Sequence, residues 1–175
     1  GETFETHVSS ISKLMDAGLD KIVPYQLMLL DGTEMKLDET KLNKHGFVRR
    51  YRALPRSFSD LEHAGKSIEI EEIVVATNTF SYEEYLKARV FHLILAVVYN
   101  GAPFAGFFKI AREYKLRLKD FSFKLIENFS SHPKLSKLYS EFVRETHNEL
   151  FESFEEASAF YLDKKNYDRL VKGEA

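Results

Sequence analysis

A run of nine mostly apolar residues, Ile-Val-Pro-Tyr-Gln-Leu-Met-Leu-Leu at positions 22–30, constrains the fold of this chain most strongly. Apolar residues follow one another instead of alternating with polar ones, which is typical of a strand buried on both faces in a parallel sheet. Pro24 lies near the beginning of the run, where its missing N–H group is least harmful. Asp31 and Gly32 then supply a turn. The sequence therefore predicts a β-strand over residues 22–30.

An amphipathic helix is predicted just before this strand. Its apolar positions are three or four residues apart, as on one face of a helix, at Phe4, Val8, Ile11 and Met15. The Thr3 hydroxyl can cap the first turn, and Gly18 can end the helix with a positive φ. Helix and strand form an αβ unit, and in such folds ligands bind beyond the carboxyl ends of the strands, here near residues 29–33. Spacing alone favours a plain turn role for Gly32.

The composition excludes several classes of function. The chain has 25 basic and 27 acidic residues and a formal net charge of −2, so charge alone does not indicate a nucleic-acid partner. The absence of cysteine excludes disulfides, thiolate-bound metals and a cysteine nucleophile within this chain. The longest strongly apolar stretch, residues 90–99, is half as long as the roughly 20 residues of a membrane-spanning helix. We therefore expect a soluble, cytoplasmic protein with no membrane partner.

An arginine cluster lies in the middle of the chain, within GFVRRYRALPRSFSD at residues 46–60. Its arginines alternate with aromatic residues, and the members are Arg49, Arg50, Arg52, Arg56, Phe47, Tyr51 and Phe58. One interpretation is contact with a substrate anion or nucleic acid, because guanidinium groups bind oxyanions and rings stack on bases. The other, which we prefer, is a strand or loop paired with the acidic segment IEIEEI, residues 68–73. Residues 68–75 then form a short strand, although a helix over 69–76 fits nearly as well.

The second half of the chain has helical periodicity from residue 79 onward. Ser81 and Glu84 have the spacing of a capping box, and the helix that follows is predicted to run to residue 99 as the central core helix. Its His92 is interpreted as a hydrogen-bonded core residue, because no spacing typical of metal ligands accompanies it. Further helices are predicted to start near Pro103, Asp120, Pro133 and Ser153. Residues 79–162 are expected to form a helical bundle.

Three motifs at the start of the chain together resemble the last part of a radical S-adenosylmethionine barrel, most closely that of the cobalamin-binding subgroup. They are GET at 1–3, DAGLDKI at 16–22 and PYQLMLLDGTEM at 24–35. In that family the sixth strand commonly reads Tyr-x-Leu-x-x-Leu-x-Gly-Thr, and the matching residues are Tyr25, Leu27, Leu30, Gly32 and Thr33. Asp31 stands where proline is frequent. YRALPRSFSD at 51–60 and EIVVATNTFSYEEYLKARVFH at 72–92 also resemble the C-terminal extension of some members.

The resemblance implies cofactors that this chain does not hold alone. The family binds a four-iron, four-sulfur cluster through a Cys-x3-Cys-x2-Cys motif, which a chain without cysteine lacks. The parent is expected to use S-adenosylmethionine, that cluster and, in this subgroup, cobalamin. The end of the sixth strand lies near the adenine of S-adenosylmethionine, which implies cofactor contacts from Met28, Leu29 and Leu30 and a turn at Gly32. Residues in contact with substrate or an anion are expected to be Gln26, Arg49, Arg50 and Arg52.

The predicted fold class is mainly α with a small β contribution. Residues 1–34 are the end of the partial barrel (one helix and one strand), residues 35–78 connect, and residues 79–175 form a helical C-terminal domain. The chain is expected to be the inactive C-terminal piece of a longer enzyme, partnered by the rest of that polypeptide, or by a second copy through the edges of the orphan strand. The alternatives are a stand-alone helical interaction module and, less favoured, a nucleic-acid-binding module using residues 49–56.

Overall fold

A computed structural model describes residues 1–63 and 65–173, without the side chains of Ala102 and Ser130. The described chain is mainly helical with a small β contribution, as the sequence predicts, and its β-structure is one antiparallel two-stranded sheet. The strands are β1 (Val48–Leu61) and β2 (Gly65–Ala76). The α-helices are α1 (Phe4–Asp16), α2 (Glu34–Leu37), α3 (Glu39–His45), α4 (Tyr82–Ile94), α5 (Ala105–Glu113), α6 (Leu118–Asn128), α7 (Pro133–Asn148), α8 (Phe154–Leu162) and α9 (Lys164–Lys172).

The chain divides into two compact units. Unit 1 comprises residues 1–25 and 78–146, and unit 2 comprises residues 26–77 and 147–175. Within the described ranges, no helix combines the length and the apolar character that crossing a membrane requires.

Unit 1 is a group of helices whose ends follow the predicted caps. The Thr3 hydroxyl accepts a hydrogen bond from the Thr6 N–H group, and the chain leaves α1 through Gly18 at φ 78°. The reciprocal capping box of Ser81 and Glu84 at the start of α4 is also present. The core of this unit contains Val8, Ile11, Met15, Ile22, Phe91, Leu95, Tyr99, Phe108, Ala111 and Leu118. These side chains come from both ends of the unit in sequence, so α1 is part of the core.

The predicted core helix continues from α4 through one π-helical segment, Leu95–Tyr99. Its last residues hold the segment that follows α1. The Tyr99 hydroxyl donates to the Leu19 carbonyl at 2.7 Å. The Asn100 amide accepts from the Ile22 N–H group at 2.9 Å and donates to the Ile22 carbonyl at 2.8 Å. The prediction of a core helix at residues 90–99 is confirmed for unit 1.

Unit 2 is built on the β1–β2 hairpin, and two further segments pair with it at single residues. Met28 bridges Ile73 of β2, and Phe151 bridges Tyr51 of β1. A bulge interrupts β1 between Ala53 and Phe58. It contains Pro55, which has no N–H group to donate, and Arg56 at φ 66°. The strand predicted within residues 68–75 is therefore present as part of β2, and the helical alternative for residues 69–76 is wrong.

The predicted strand over residues 22–30 is wrong, because only Met28 takes part in β-pairing there. Two backbone hydrogen bonds flank Met28 and join this segment to β2. The Leu29 N–H group donates to the Glu72 carbonyl, and the Val74 N–H group donates to the Leu27 carbonyl, both at 2.9 Å. A buried parallel strand needs neighbours along its whole length. The apolar run shares only one short antiparallel contact with β2, so it stays irregular elsewhere.

The helical bundle is shorter than predicted. Residues 147–175 belong to unit 2, so α8 and α9 are not part of the bundle expected over residues 79–162. The buried residues of α8 are Ala157 and Tyr161, and this helix packs against both strands. The ring of Tyr167 in α9 lies 6.2 Å from the ring of Phe58. These two helices pack on the hairpin because a two-stranded sheet has an apolar face that another layer must cover.

The start predicted for α6 also moves. The helix begins at Leu118, and Asp120 lies in its first turn instead of capping it. The Asp120 carboxylate accepts a hydrogen bond from Arg117 Nε at 2.8 Å. An acidic residue in the first turn interacts favourably with the helix dipole without being the cap. The predicted cap, Asp120, therefore lies three residues after the actual N-cap, Arg117.

Candidate functional site

The four predicted cofactor-contact residues have different environments in unit 2. Met28 pairs with β2, and the Leu29 side chain is buried against Leu42 and Val74. Leu30 is 57% exposed. Gly32 has φ 78°, a backbone conformation in which glycine is favoured, and an added Cβ there would have no heavy atom within 4 Å. Among these side chains, Leu30 is thus an exposed apolar group, whereas Leu29 is committed to the core.

A chain of charged groups joins the Gly32 turn to the arginine cluster. Lys36 Nζ lies 2.6 Å from the Asp31 carboxylate and 2.8 Å from Glu72 Oε2. Glu72 Oε1 accepts a hydrogen bond from Arg49 Nη1 at 3.2 Å. The Glu72 side chain is buried, and its two cationic partners compensate for the desolvation of its charge. Hydrogen bonds to Asp31 and Glu72 raise the pKa of Lys36.

The other two predicted anion contacts lie on the opposite face of β1, because successive strand residues point to opposite sides. Arg52 donates from Nε to Glu71 Oε1 at 2.6 Å and from Nη1 to Glu149 Oε1 at 2.9 Å. Arg50 Nη2 lies 2.9 Å from Glu152 Oε1.

Arg49, Arg50 and Arg52 of the arginine cluster are therefore paired with carboxylates, as the preferred interpretation predicts. Arg49 pairs with Glu72 of the acidic segment IEIEEI, and Arg52 pairs with Glu71 of the same segment. Gln26, the remaining predicted contact, is half-buried at the start of unit 2.

Two surface depressions adjoin the Gly32 turn. The larger, of about 700 Å³, is lined by Gly32, Glu34, Leu37, Asp38, Glu39 and Thr40. Its three carboxylates make it a poor site for an anion. The smaller, of about 230 Å³, is lined by Glu34, Met35, Lys41, His45 and Phe47.

Unit 1 contains a histidine pair that the sequence analysis missed. The Nε2 atoms of His7 and His92 are 2.8 Å apart, and His7 Nδ1 lies 3.3 Å from Glu2 Oε1. Either ring can be the donor in the contact between the two Nε2 atoms, because the roles depend on which nitrogen of each imidazole carries the proton. The predicted hydrogen-bonded role of His92 is confirmed. The sequence clue to its partner is the position of His7 beside Val8 on the buried stripe of α1.

The environment of His92 strongly favours its neutral form. Burial lowers the pKa of His92 from 6.5 to about 3, with smaller contributions from the neighbouring His7 and Arg89. Protonation would place a charge on a largely desolvated ring facing a cation and a second imidazole. Among the described residues, no group of three or more His, Asp or Glu side chains is arranged to hold a metal ion.

We expect unfolding of unit 1 to become easier in acid because of His92. Between pH 6.5 and about 3 the unfolded chain binds a proton at this ring that the folded chain excludes. Stability present above pH 6.5 is therefore lost as the pH falls, by up to about 1.4 kcal/mol per pH unit. Denaturant unfolding from pH 7 to 5 should show a smaller loss for His92→Gln than for the parent. His132→Gln, at an exposed position, is the control and should keep the parental slope, and equal slopes for all three proteins would contradict the assignment.

No protein-family model matches the sequence, and no curated protein matches it.

Proposed function

We propose that this chain is the C-terminal part of a radical S-adenosylmethionine iron–sulfur enzyme of the cobalamin-binding subgroup. In this role it closes the barrel and adds a helical accessory domain for contact with substrate or a partner. The observation that carries the proposal is the joint match of three motifs, at residues 1–3, 16–22 and 24–35. The proposal includes a cytoplasmic location and the rest of the parent polypeptide as the principal partner.

The geometry of the third motif supports this role. Gly32 turns the chain with φ 78°, as a glycine at the end of the sixth strand would. Leu27 and Leu30 expose much of their apolar side chains. In a strand these two side chains would point to opposite faces, and a barrel covers both faces of its strands. The exposed side chains are therefore compatible with an interface to the preceding strands of a parent enzyme.

The residues present do not fit an iron–sulfur cluster. Four-iron clusters are held by cysteine thiolates, and the sequence contains none. In the proposal the thiolates, and any cobalamin-binding domain, belong to other parts of the parent polypeptide. The contribution of this chain to S-adenosylmethionine binding is apolar contact from Leu30 and the turn at Gly32, and that of Arg49, Arg50 and Arg52 is structural, because each has a carboxylate partner.

The first test compares this chain with its parent polypeptide after anaerobic reconstitution with iron and sulfide. We expect the isolated chain to bind no stoichiometric cluster and to release no 5′-deoxyadenosine from S-adenosylmethionine. The parent should do both, and its reading frame should encode the cysteine triad. A parent without that triad, or an isolated chain that assembles a cluster, would overturn the proposal.

The contact at Leu30 is tested in the same parent protein. Leu30→Glu should weaken S-adenosylmethionine binding at least tenfold, because it places a carboxylate where apolar contact with adenine is proposed. Leu61→Glu is the matched control, since Leu61 is equally exposed but lies at the hairpin end of β1. Equal affinities for the two variants would remove Leu30 from the site.

A stand-alone helical interaction module is the second candidate. It is favoured by α7, which exposes apolar side chains on a helix of unit 1 at Leu135, Leu138 and Tyr139. Nucleic-acid binding through residues 49–56 is less supported, because three of the arginines there are already paired with carboxylates. Phosphate contacts would make any such binding fall steeply with salt. An affinity for single-stranded RNA that is steeply salt-dependent would revive this third candidate.

Self-association through residues 22–30 also stays a prediction. The backbone at Leu27 and Leu29 is partly occupied by β2, which leaves less edge for a second copy than an isolated strand has. The exposed side chains of Leu27 and Leu30 would then supply most of the contact. Sedimentation equilibrium should show a dimer that Leu27→Lys with Leu30→Lys converts to a monomer. A parent chain that stays monomeric at high concentration would dismiss the idea.

A further inference from the structure

A depression of about 270 Å³ in unit 1 is lined by Asp16, Arg112, Lys115, Leu116 and Arg117. Asp16 is the last residue of α1, and Arg112 lies in the last turn of α5. The other three lining residues belong to the connection between α5 and α6. The lining therefore carries three cations and one carboxylate, and the depression is positively charged.

The cations of this depression are less neutralised than the arginines of β1. Arg117 is bonded to Asp120, and both side chains are substantially exposed. Within residues 1–63 and 65–173, Arg112 and Lys115 have no ion pair with a carboxylate. By contrast, Arg49 and Arg52 are each bonded to a buried glutamate. Two cations that are in no ion pair, beside one cavity, can bind an oxyanion.

Arg112 is held in place by its surroundings. Its side chain crosses Gly18, where an added Cβ would lie 3.6 Å from Nε. A guanidinium restrained in this way loses little side-chain entropy when it binds a planar pair of oxygens.

Lys115 has a backbone conformation that disfavours its side chain. Its φ is 53°, and the hydrogen bonds from Lys115 to the Arg112 carbonyl and from Leu116 to the Ala111 carbonyl form a Schellman motif at the end of α5. Glycine is the usual residue at that position because it carries no Cβ. Lys115 therefore carries its ammonium group beside the cavity at a strained backbone position.

We propose that this depression binds the phosphoryl group of a small molecule. Arg112 contributes a two-pronged donor, Lys115 a point charge, and Asp16 an acceptor for a hydroxyl next to the phosphate. The site lies entirely in unit 1 and does not depend on the role proposed for the chain as part of a larger enzyme.

The test is a titration of the full chain at constant ionic strength, followed by amide NMR shifts, with sodium phosphate, glycerol 3-phosphate and glycerol as probes. Both phosphates should cause saturable shifts at residues 112–118, and glycerol should cause none. A lower Kd for the ester assigns the site to a phosphate ester, and a lower Kd for the ion assigns it to free phosphate. Shifts that do not saturate, or that sodium chloride reproduces, overturn the proposal.

Variants separate the site from general charge. Lys115→Gly removes the ammonium group and relieves the backbone strain, so this variant should fold at least as well as the parent. It should weaken phosphate binding at least tenfold, and Arg112→Gln should do the same. Lys124→Ala removes one exposed charge from α6 outside the lining and should bind as the parent does. Phosphate binding by Lys115→Gly with the parental Kd would reject the assignment even if Arg112→Gln failed to fold.

Discussion

Replacing Arg52 with Met is expected to lower the free energy of unfolding by about 3–5 kcal/mol. The Arg52 side chain is only 12% exposed and its partner Glu71 only 8% exposed. Methionine fills a similar volume but leaves the Glu71 carboxylate in the sheet without its closest cation. A buried charge stripped of its partner costs more than the ion pair itself contributes, because the desolvation penalty is no longer offset. Denaturant unfolding monitored by hydrogen exchange in β1 and β2 measures the loss in unit 2.

Arg50→Met is the matched control for this prediction. Arg50 lies on the same strand and the same face, but its partner Glu152 is 76% exposed. Arg50→Met should therefore lower the free energy of unfolding by no more than about 1 kcal/mol. The double variant Arg52→Met with Glu71→Leu should recover most of the stability, since the buried carboxylate that loses its closest cation is removed as well, and Glu72 keeps Lys36 and Arg49. Equal losses for the Arg52 and Arg50 variants would show that Glu71 is effectively solvated.

The second large effect is expected at Leu95. This side chain is 0% exposed in the core of unit 1, in contact with a cluster that includes Phe91. Leu95→Ala should cost about 2–5 kcal/mol, because it removes apolar burial and leaves a cavity that close-packed neighbours fill incompletely. Hydrogen exchange of the α1 and α4 amides should show the loss, because these helices belong to the same unit.

Val97→Ala is the control for Leu95. Val97 belongs to the same π-helical segment but is 59% exposed, so its truncation should cost less than about 0.5 kcal/mol. The comparison separates core packing from any effect of alanine on the π-helical backbone. A loss below about 0.5 kcal/mol for Leu95→Ala would mean that the core of unit 1 lies elsewhere.

Helix ends were the most predictable part of the fold, because a cap depends on residues three or four positions apart. Thr3 and Ser81 cap as expected, and α7 begins at Pro133 as expected. The apolar run at residues 22–30 misled because strand formation depends on partners that a local pattern does not contain. The one strand partner of this run is β2, which it contacts at the single antiparallel bridge between Met28 and Ile73.

The charge pairing within the arginine cluster was predictable in kind but not in detail. The proximity of an acidic segment indicated carboxylate partners, and Glu71 and Glu72 fill that role. Glu149 and Lys36 were not foreseen, because the fold brings them to the sheet from outside the hairpin. The contact of His7 with His92 likewise joins residues 85 positions apart, and no spacing rule covers such a distance.

The two adjacent buried glutamates of β2 also determine the alignment of the hairpin. Glu71 and Glu72 point to opposite faces, where Arg52 and Arg49 bind them. A slip of one residue would exchange the faces of both carboxylates and separate each from its arginine. A slip of two would keep the faces but displace each pair by about 7 Å along the strand. The ion pairs therefore make the observed register the one in which both buried glutamates keep their arginines.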